Sequence, residues 1–164
     1  MMKVLAFDQS TRVTGYCLFN NGCYSDSGVI DLTDIDNTET RTQQMGLSIC
    51  DKIEFYNPDF IIIEDVSMQK NPDVMKKLAR LQGMILGFAV AHNIQINIIE
   101  PTKWRSALKY QQGRGIKRDE LKKQSFDYVK KYFGFENFTE DRCEAICINE
   151  AAHKILLELN EEDI

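Results

Sequence analysis

Apolar residues along the chain gather into short runs separated by turn formers. The first run, Val4-Leu5-Ala6-Phe7, ends on a single carboxylate, Asp8. A run of this length predicts a buried strand. Gln9-Ser10-Thr11-Arg12-Val13-Thr14-Gly15 is a hydroxyl-rich turn, and the weak alternation from Thr14 to Asn20 predicts a second strand. Asn20-Asn21-Gly22 is a hairpin signal, because Asn and Gly tolerate positive φ, and Cys23 to Asp31 returns as a third strand. From about Thr40 to Tyr56, the residues Met45, Leu47, Ile49, Ile53 and Phe55 approximate one helical face, which Asn57-Pro58 ends. Asp59-Phe60-Ile61-Ile62-Ile63-Glu64-Asp65 is a continuous apolar run bounded by acids, the pattern of a central strand covered on both faces.

Asn71 and Pro72 suit the cap and first residue of a helix running to about His92, with Leu78, Leu81, Ile85, Phe88 and Ala89 inward. Its Gly83 and Gly87 permit close approach of another helix, either inside the core or across a dimer interface. Ile94 to Ile99 reads as another buried strand, and Glu100-Pro101-Thr102 opens a short helix holding the only tryptophan, Trp104. Gln111 to Gly115 is a flexible basic loop. Ile116 to Phe133 is a basic amphipathic helix with Leu121, Phe126, Val129 and Phe133 inward. Thr139 caps a last helix that passes Ala145, Ile146, Ala152 and Ile155 towards Leu159, leaving residues 161–164 to fray.

Three hairpin-linked strands followed by helix, strand, helix, strand and helices predict an α/β fold: a mixed five-stranded sheet, three strands antiparallel and then two parallel, flanked by helices. The 164 residues suit a single domain, residues 1–164. No apolar run reaches membrane-spanning length and the N-terminus lacks a signal-peptide pattern, which places the chain in the cytoplasm with no membrane partner. The five cysteines are odd in number and scattered, so reduced thiols are expected. Cys143, Cys147 and His153 form a zinc-like spacing without a CxxC pair.

Charge changes the picture more than composition does. The chain carries −5 overall, yet Lys103 to Lys131 holds ten basic residues against three acids, leaving −12 on the remainder. Such segregation suits a protein that meets phosphates and also holds cations; a solvated helix face is the lesser alternative. Four acids stand out. Asp8 and Glu64 each end an apolar strand, where a buried charge is costly unless paired. Asp141 and Glu144, three apart, project from one helical face. Asp141 also suits a helix N-terminus, Glu144 a solvated surface, and Asp65 a structural pairing with a nearby cation. Jointly the four oxygen ligands favour Mg²⁺ or Mn²⁺ over zinc, and two such ions can hydrolyse a phosphodiester.

Asp8-Gln9-Ser10-Thr11 with Thr14-Gly15, Ile61-Ile62-Ile63-Glu64, Pro101-Thr102-Lys103-Trp104 and Asp141-Arg142-Cys143-Glu144-Ala145-Ile146 resemble, in order, the motifs of RuvC-type Holliday-junction resolvases. The resemblance implies a ribonuclease H-like fold and a homodimeric crossover junction endodeoxyribonuclease that nicks four-way and other branched DNA in recombination. It implies two Mg²⁺ ions per site, with Mn²⁺ also supporting activity, held by Asp8, Glu64, Asp141 and Glu144, and no small-molecule cofactor. Lys117 or Arg118 resembles the family's basic residue near the scissile phosphate. Lys76, Lys77, Arg80, Lys103, Arg105 and Arg114 are candidate phosphate contacts. The chain's compactness is in keeping with a phage-encoded member.

The sequence departs from the family pattern in two places. Glu144 stands where Asp is common, and Ser67-Met68-Gln69 where an aromatic often stacks at the junction, with Met68 a candidate wedge. Asp8-Gln9-Ser10-Thr11 with Gly15 also resembles the phosphate loop of actin-like phosphotransferases. A ribonuclease H-type nuclease acting on RNA–DNA hybrids, or a non-catalytic DNA-binding module, are further readings.

Overall fold

In the computed structural model, which describes residues 2–67 and 71–162 with side chains through Ile155, the first apolar run forms β1 (Lys3–Asp8). It pairs antiparallel with β2 (Val13–Asn20), which in turn pairs antiparallel with β3 (Cys23–Asp31). Asn21 and Gly22 close the β2–β3 hairpin at φ of 50° and 77°, the positive values a tight two-residue turn requires. β4 (Phe60–Glu64) joins β1 in parallel and β5 (Gln95–Ile99) joins β4 in parallel, giving the order β3-β2-β1-β4-β5. The mixed five-stranded sheet expected from the sequence is the one observed.

Alternation along the strands splits the core into two layers. Leu5, Phe7, Leu18, Ile61 and Ile63 pack on α1 (Thr38–Tyr56) and α2 (Pro72–Ala91) through Met45, Ile49, Ile53, Leu81 and Ile85. Ala6, Cys17, Phe19 and Ile62 face the opposite layer of α3 (Pro101–Ala107), α4 (Arg118–Phe133) and α5 (Glu140–Glu162), where Trp104, Val129, Ala145 and Ile146 are buried. Asp8 shares the parity of Ala6, and Glu64 that of Ile62. Both acids therefore leave the sheet on the α3–α5 side.

The helices begin and end where local chemistry dictates. Asn37 and Asn71 side chains accept hydrogen bonds from Thr40 and Asp73 amides, and Asn57 and Gly134 terminate α1 and α4 in the left-handed region. Thr139 Oγ1 accepts from the Arg142 amide at 3.4 Å, as an N-cap does. Inside α5, buried Asn149 donates from Nδ2 to Val4 O and Cys17 O, 2.9 Å each, tying the helix to β1 and β2. Among the described residues, no helix is long and apolar enough to cross a membrane.

Several expectations are corrected. β5 is the sheet edge rather than a buried strand: Gln95, Asn97 and Ile98 are exposed, because no strand lies beyond it. Leu47 and Phe55 point to solvent, since α1 meets the sheet through Met45, Ile49 and Ile53. α1 and α2 approach through Gly46, where a Cβ would strike the Met84 side chain, whereas Gly83 and Gly87 face open space. Helix α4 starts at Arg118, two residues later than expected, because Lys117 is extended, and its buried face is Ser125, Tyr128 and Val129. α5 extends through Glu162. Among the described residues Asp65 meets no cation; its Oδ1 accepts from the Val66 amide at 2.8 Å and from Gln82 Nε2 at 3.5 Å.

All five cysteines are free, with Cys17, Cys143 and Cys147 buried; burial pushes the Cys143 thiol up to about 11. The Tyr110 hydroxyl donates to Cys147 Sγ at 3.2 Å. His153 packs instead on the β2–β3 turn, its Nε2 2.5 Å from where a Gly22 Cβ would stand. Cys143, Cys147 and His153 do not assemble a zinc site.

Candidate active site

The register Phe7↔Ile63 between β1 and β4 sets Asp8 beside Glu64 one step further on, at the C-terminal ends of adjacent parallel strands. Ends of this kind are where α/β folds place ligands. The other two acids arrive on α5. Gly15, opposite Asp8 in the β1–β2 register, has no room for a Cβ, which would overlap the Asp141 carbonyl. The first turn of α5 therefore sits directly on the sheet, next to Asp8. Asp8, Glu64, Asp141 and Glu144 all line one cleft of about 1060 Å³.

Electrostatics records how near the acids are. The Asp8 carboxyl is held well above its ordinary range, first by burial and then by the negative charges of Glu144, Glu64 and Asp141. Asp8 and Glu144 are within hydrogen-bonding reach, and the bond between them raises Asp8 while lowering Glu144. Glu144 is nevertheless raised overall by burial and by the charge of Glu64. Burial also raises Glu64, against the lowering effects of the Trp104 hydrogen bond, Arg105 and Arg118. Burial raises Asp141 too, against its own backbone amide, Lys122 and Arg118.

The carboxylates converge on the cleft without closing on a point: among the described residues, no three His, Cys, Asp or Glu side chains are grouped tightly enough to grip one metal ion. Glu64 Oε1 is drawn to Trp104 Nε1 at 2.7 Å and to Arg105 Nη2 at 3.4 Å. The donor set nevertheless fits a hard divalent cation in kind. It is all oxygen, and its charges are disfavoured by burial until something positive joins them. Gln9, next to Asp8, adds a buried Oε1 with no hydrogen-bond partner among the described residues, while its Nε2 donates to Glu64 O at 3.0 Å.

Of the basic residues singled out from the sequence, Lys77, Arg105 and Arg118 line the acid cleft. Arg118 rather than Lys117 is the one that lowers both Glu64 and Asp141; Lys117 is the exposed N-cap position of α4. Lys76 and Arg80 are exposed and pair with Asp73 and Glu39, at 3.6 and 3.1 Å. Lys103 lines a separate hollow beside β5 and α5. Arg114 is exposed between Gly113 and Gly115, in a loop whose start is pinned by reciprocal hydrogen bonds between Gln111 and Gln124. Met68 lies outside the described residues.

Several cleft residues gave no sequence signal of their own. Arg41 is buried and donates to Thr11 O and Ile35 O at 3.1 and 2.7 Å, holding the turn after Asp8. A buried arginine inside a helical pattern is visible only once the fold brings its acceptors near. Arg12 and Thr38 also line the cleft. Lys122 binds Glu140 at 2.6 Å beside Asp141.

The chain is 34% identical over 100 residues to the crossover junction endodeoxyribonuclease of Serratia proteamaculans (58% of this chain, 57% of that one) and 36% identical over 100 residues to that of Histophilus somni (58% and 52%). It is 30% identical over 112 residues to that of Hydrogenovibrio crunogenus (66% and 64%). The chain thus spans less than two thirds of the length of these relatives. Among solved structures, Thermus thermophilus RuvC in complex with a Holliday junction substrate superposes with a TM-score of 0.76 at 12% identity, over 96% of both chains. The fowlpox virus resolvase bound to Holliday junction DNA superposes at 0.68 and 19%, covering 95% of this chain and 99% of that one. The yeast mitochondrial Holliday junction resolvase superposes at 0.64 and 17%, covering 98% and 81%. These likenesses establish a RuvC-type, ribonuclease H-like fold. The family model for crossover junction endodeoxyribonuclease RuvC matches residues 4–136, which include Asp8 and Glu64 and stop short of Asp141 and Glu144. By that match, the chain belongs to the RuvC family.

Proposed function

We propose that this chain is a divalent-metal-dependent, structure-selective endonuclease that hydrolyses phosphodiesters in four-way DNA junctions and other branched DNA during recombination. The observation that carries the reading is the convergence of four acids from β1, β4 and α5 on one cleft that also holds Lys77, Arg105 and Arg118. Residues 1–164 would act as one cytoplasmic nuclease domain, built on the one sheet.

Dependence on a divalent cation comes with membership in the family. Asp8, Glu64, Asp141 and Glu144 would hold the ions, two per site, with Mg²⁺ the expected metal and Mn²⁺ a substitute. Bound cations lower the pKa of an attacking water and offset charge on the leaving 3′ oxygen. The chain's own groups bind and orient the substrate. Lys77, Arg105 and Arg118 attract the phosphate backbone into the cleft, and the planar guanidinium groups of Arg105 and Arg118 suit paired hydrogen bonds to phosphate oxygens. Lys76, Arg80, Lys103, Arg114 and Lys117, outside the cleft, contact flanking duplex arms and set position rather than sequence.

A second copy of the chain fits this chemistry, because paired nicks are most simply made by two sites related by a two-fold axis. The outer face of α2, with Ala79, Gly83, Gly87 and Val90 exposed, is the proposed contact.

The test is a gel comparison of cleavage on four-way, three-way, linear and RNA–DNA hybrid substrates with Mg²⁺, using the wild type and Asp8→Asn. Branched DNA is expected to be cut preferentially, and Asp8→Asn to lose more than about 10²-fold in rate while still retarding the junction. Preference for the hybrid would move the substrate to RNA–DNA duplexes. Full activity in Asp8→Asn would overturn the metal-ligand reading.

A further inference from the structure

Trp104 is fully buried in the α3–α5 layer. A buried indole N–H needs an acceptor, and a neutral backbone carbonyl is the usual solution. Here the N–H instead donates to the carboxylate of Glu64, 2.7 Å from Oε1. Arg105, the next residue on α3, sends Nη2 to the same oxygen at 3.4 Å and lays its guanidinium over the indole, 4.9 Å from the ring centroid. Tyr110 packs edge-on against the indole at 5.5 Å. The ring is thus held on two sides and cannot turn its N–H elsewhere without reopening the core. Among the described residues, every hydrogen bond or ion pair given to the Glu64 carboxylate falls on Oε1, and none falls on Oε2.

We infer that Trp104 is a positioning residue for Glu64, an inference that rests on reading Glu64 as a cation ligand. The indole fixes one carboxylate oxygen so that the other is kept for the metal. It acts through Glu64 and touches neither cation nor DNA. The bond is charge-assisted, so it is strong and directional when Glu64 is ionised. It also sets the carboxylate's rotation before any ion arrives. Groups that orient metal ligands in this way commonly govern affinity by about 10- to 100-fold. The arrangement joins the core to the site: the same side chain that fills the α3–α5 layer aims a strand-end acid.

Trp104→Phe keeps the aromatic packing and removes only the donor. Mn²⁺ binding, followed by the paramagnetic resonance of free Mn²⁺, measures the consequence without reference to cleavage. The variant is expected to keep the wild-type circular dichroism and to bind Mn²⁺ about 10- to 100-fold more weakly. Because the chain has one tryptophan, its indole N–H gives a single nuclear magnetic resonance signal in the wild type. That signal is expected to shift during a Mg²⁺ titration, and to move in metal-free Glu64→Gln. A Trp104→Phe protein that binds Mn²⁺ within about twofold of wild type would overturn the inference while leaving Glu64 as a ligand. If the variant does not fold, an indole signal unmoved by both Mg²⁺ and Glu64→Gln overturns it instead. Wild-type protein that binds no Mn²⁺ would overturn the ligand reading and this inference together.

Discussion

At position 15 a single methyl group decides whether α5 can reach the sheet. A Cβ there would overlap the Asp141 carbonyl and crowd the Arg142 amide at 3.1 Å, and backbone cannot swing aside as a flexible side chain does. Gly15→Ala is therefore expected to cost more than the roughly 1–3 kcal/mol typical of overpacking, and to weaken Mn²⁺ binding because Asp141 is carried away from Asp8. Urea denaturation and a Mn²⁺ titration of the same variant check both parts; unchanged stability would mean α5 tolerates the shift. Residues differ in how far the sequence announces them. Asp8 and Glu64 stand out because an acid ending an apolar strand is locally costly, and that cost is visible from neighbours alone. The Trp104–Glu64 bond spans 40 residues of chain. Nothing local separates an indole that aims a carboxylate from one that merely fills space. Arg41 is silent for the same reason, since its meaning lies in acceptors brought near by the fold.

Elements were legible in type and order and less so in surroundings. β5 illustrates why: Ile94, Ile96, Ile98 and Ile99 make the run apolar, and an apolar run does not say whether a further strand lies beyond. Strand order is a non-local property, and it left Ile98 42% exposed at the edge. In α1, the apolar positions Met45, Leu47, Ile49, Ile53 and Phe55 fit a helical period only loosely, which admits more than one face, and the sheet selects Met45, Ile49 and Ile53. The glycines of α2 carry a prediction at this scale. Gly83 and Gly87 have open space where a side chain would go, and Val90 on the same helix is 70% exposed. If this face meets a second copy, Gly87→Glu places a charge in a close helix contact while leaving the monomer's own packing untouched. The expected result is a dimer for the wild type and a monomer for Gly87→Glu by light scattering, with equal thermal stability of the fold at low concentration. A Gly87→Glu protein that stays dimeric would place the two-fold contact on another face.

For the molecule as a whole, charge did not separate as its distribution along the chain implied. The basic segment from Lys103 to Lys131 scatters, with Arg105 and Arg118 entering the acid cleft, Lys103 lining a different hollow and Lys122 engaged by Glu140. Basic and acidic groups share one cleft, and the four acids are each raised above their ordinary values, 3.8 for Asp8 and Asp141 and 4.5 for Glu64 and Glu144. That has a consequence for stability without metal. Between the ordinary and the raised values, the folded chain holds protons that the unfolded chain has released, so folding takes up protons and stability falls as pH rises through that window. A divalent cation that binds the ionised carboxylates opposes this loss, and its stabilising effect grows with pH as protons cease to compete. Metal-free protein is therefore expected to melt at progressively lower temperature as pH rises above the ordinary carboxylate values, and Mg²⁺ to raise the melting temperature more at the upper end of that rise than at its foot. Asp8→Asn removes the most strongly raised carboxyl. Its metal-free melting temperature should fall less steeply over that range, and Mg²⁺ should stabilise it less. Parallel pH profiles for the two proteins, with and without Mg²⁺, would show that burial of these acids is not linked to folding and that the cleft does not store charge for a cation.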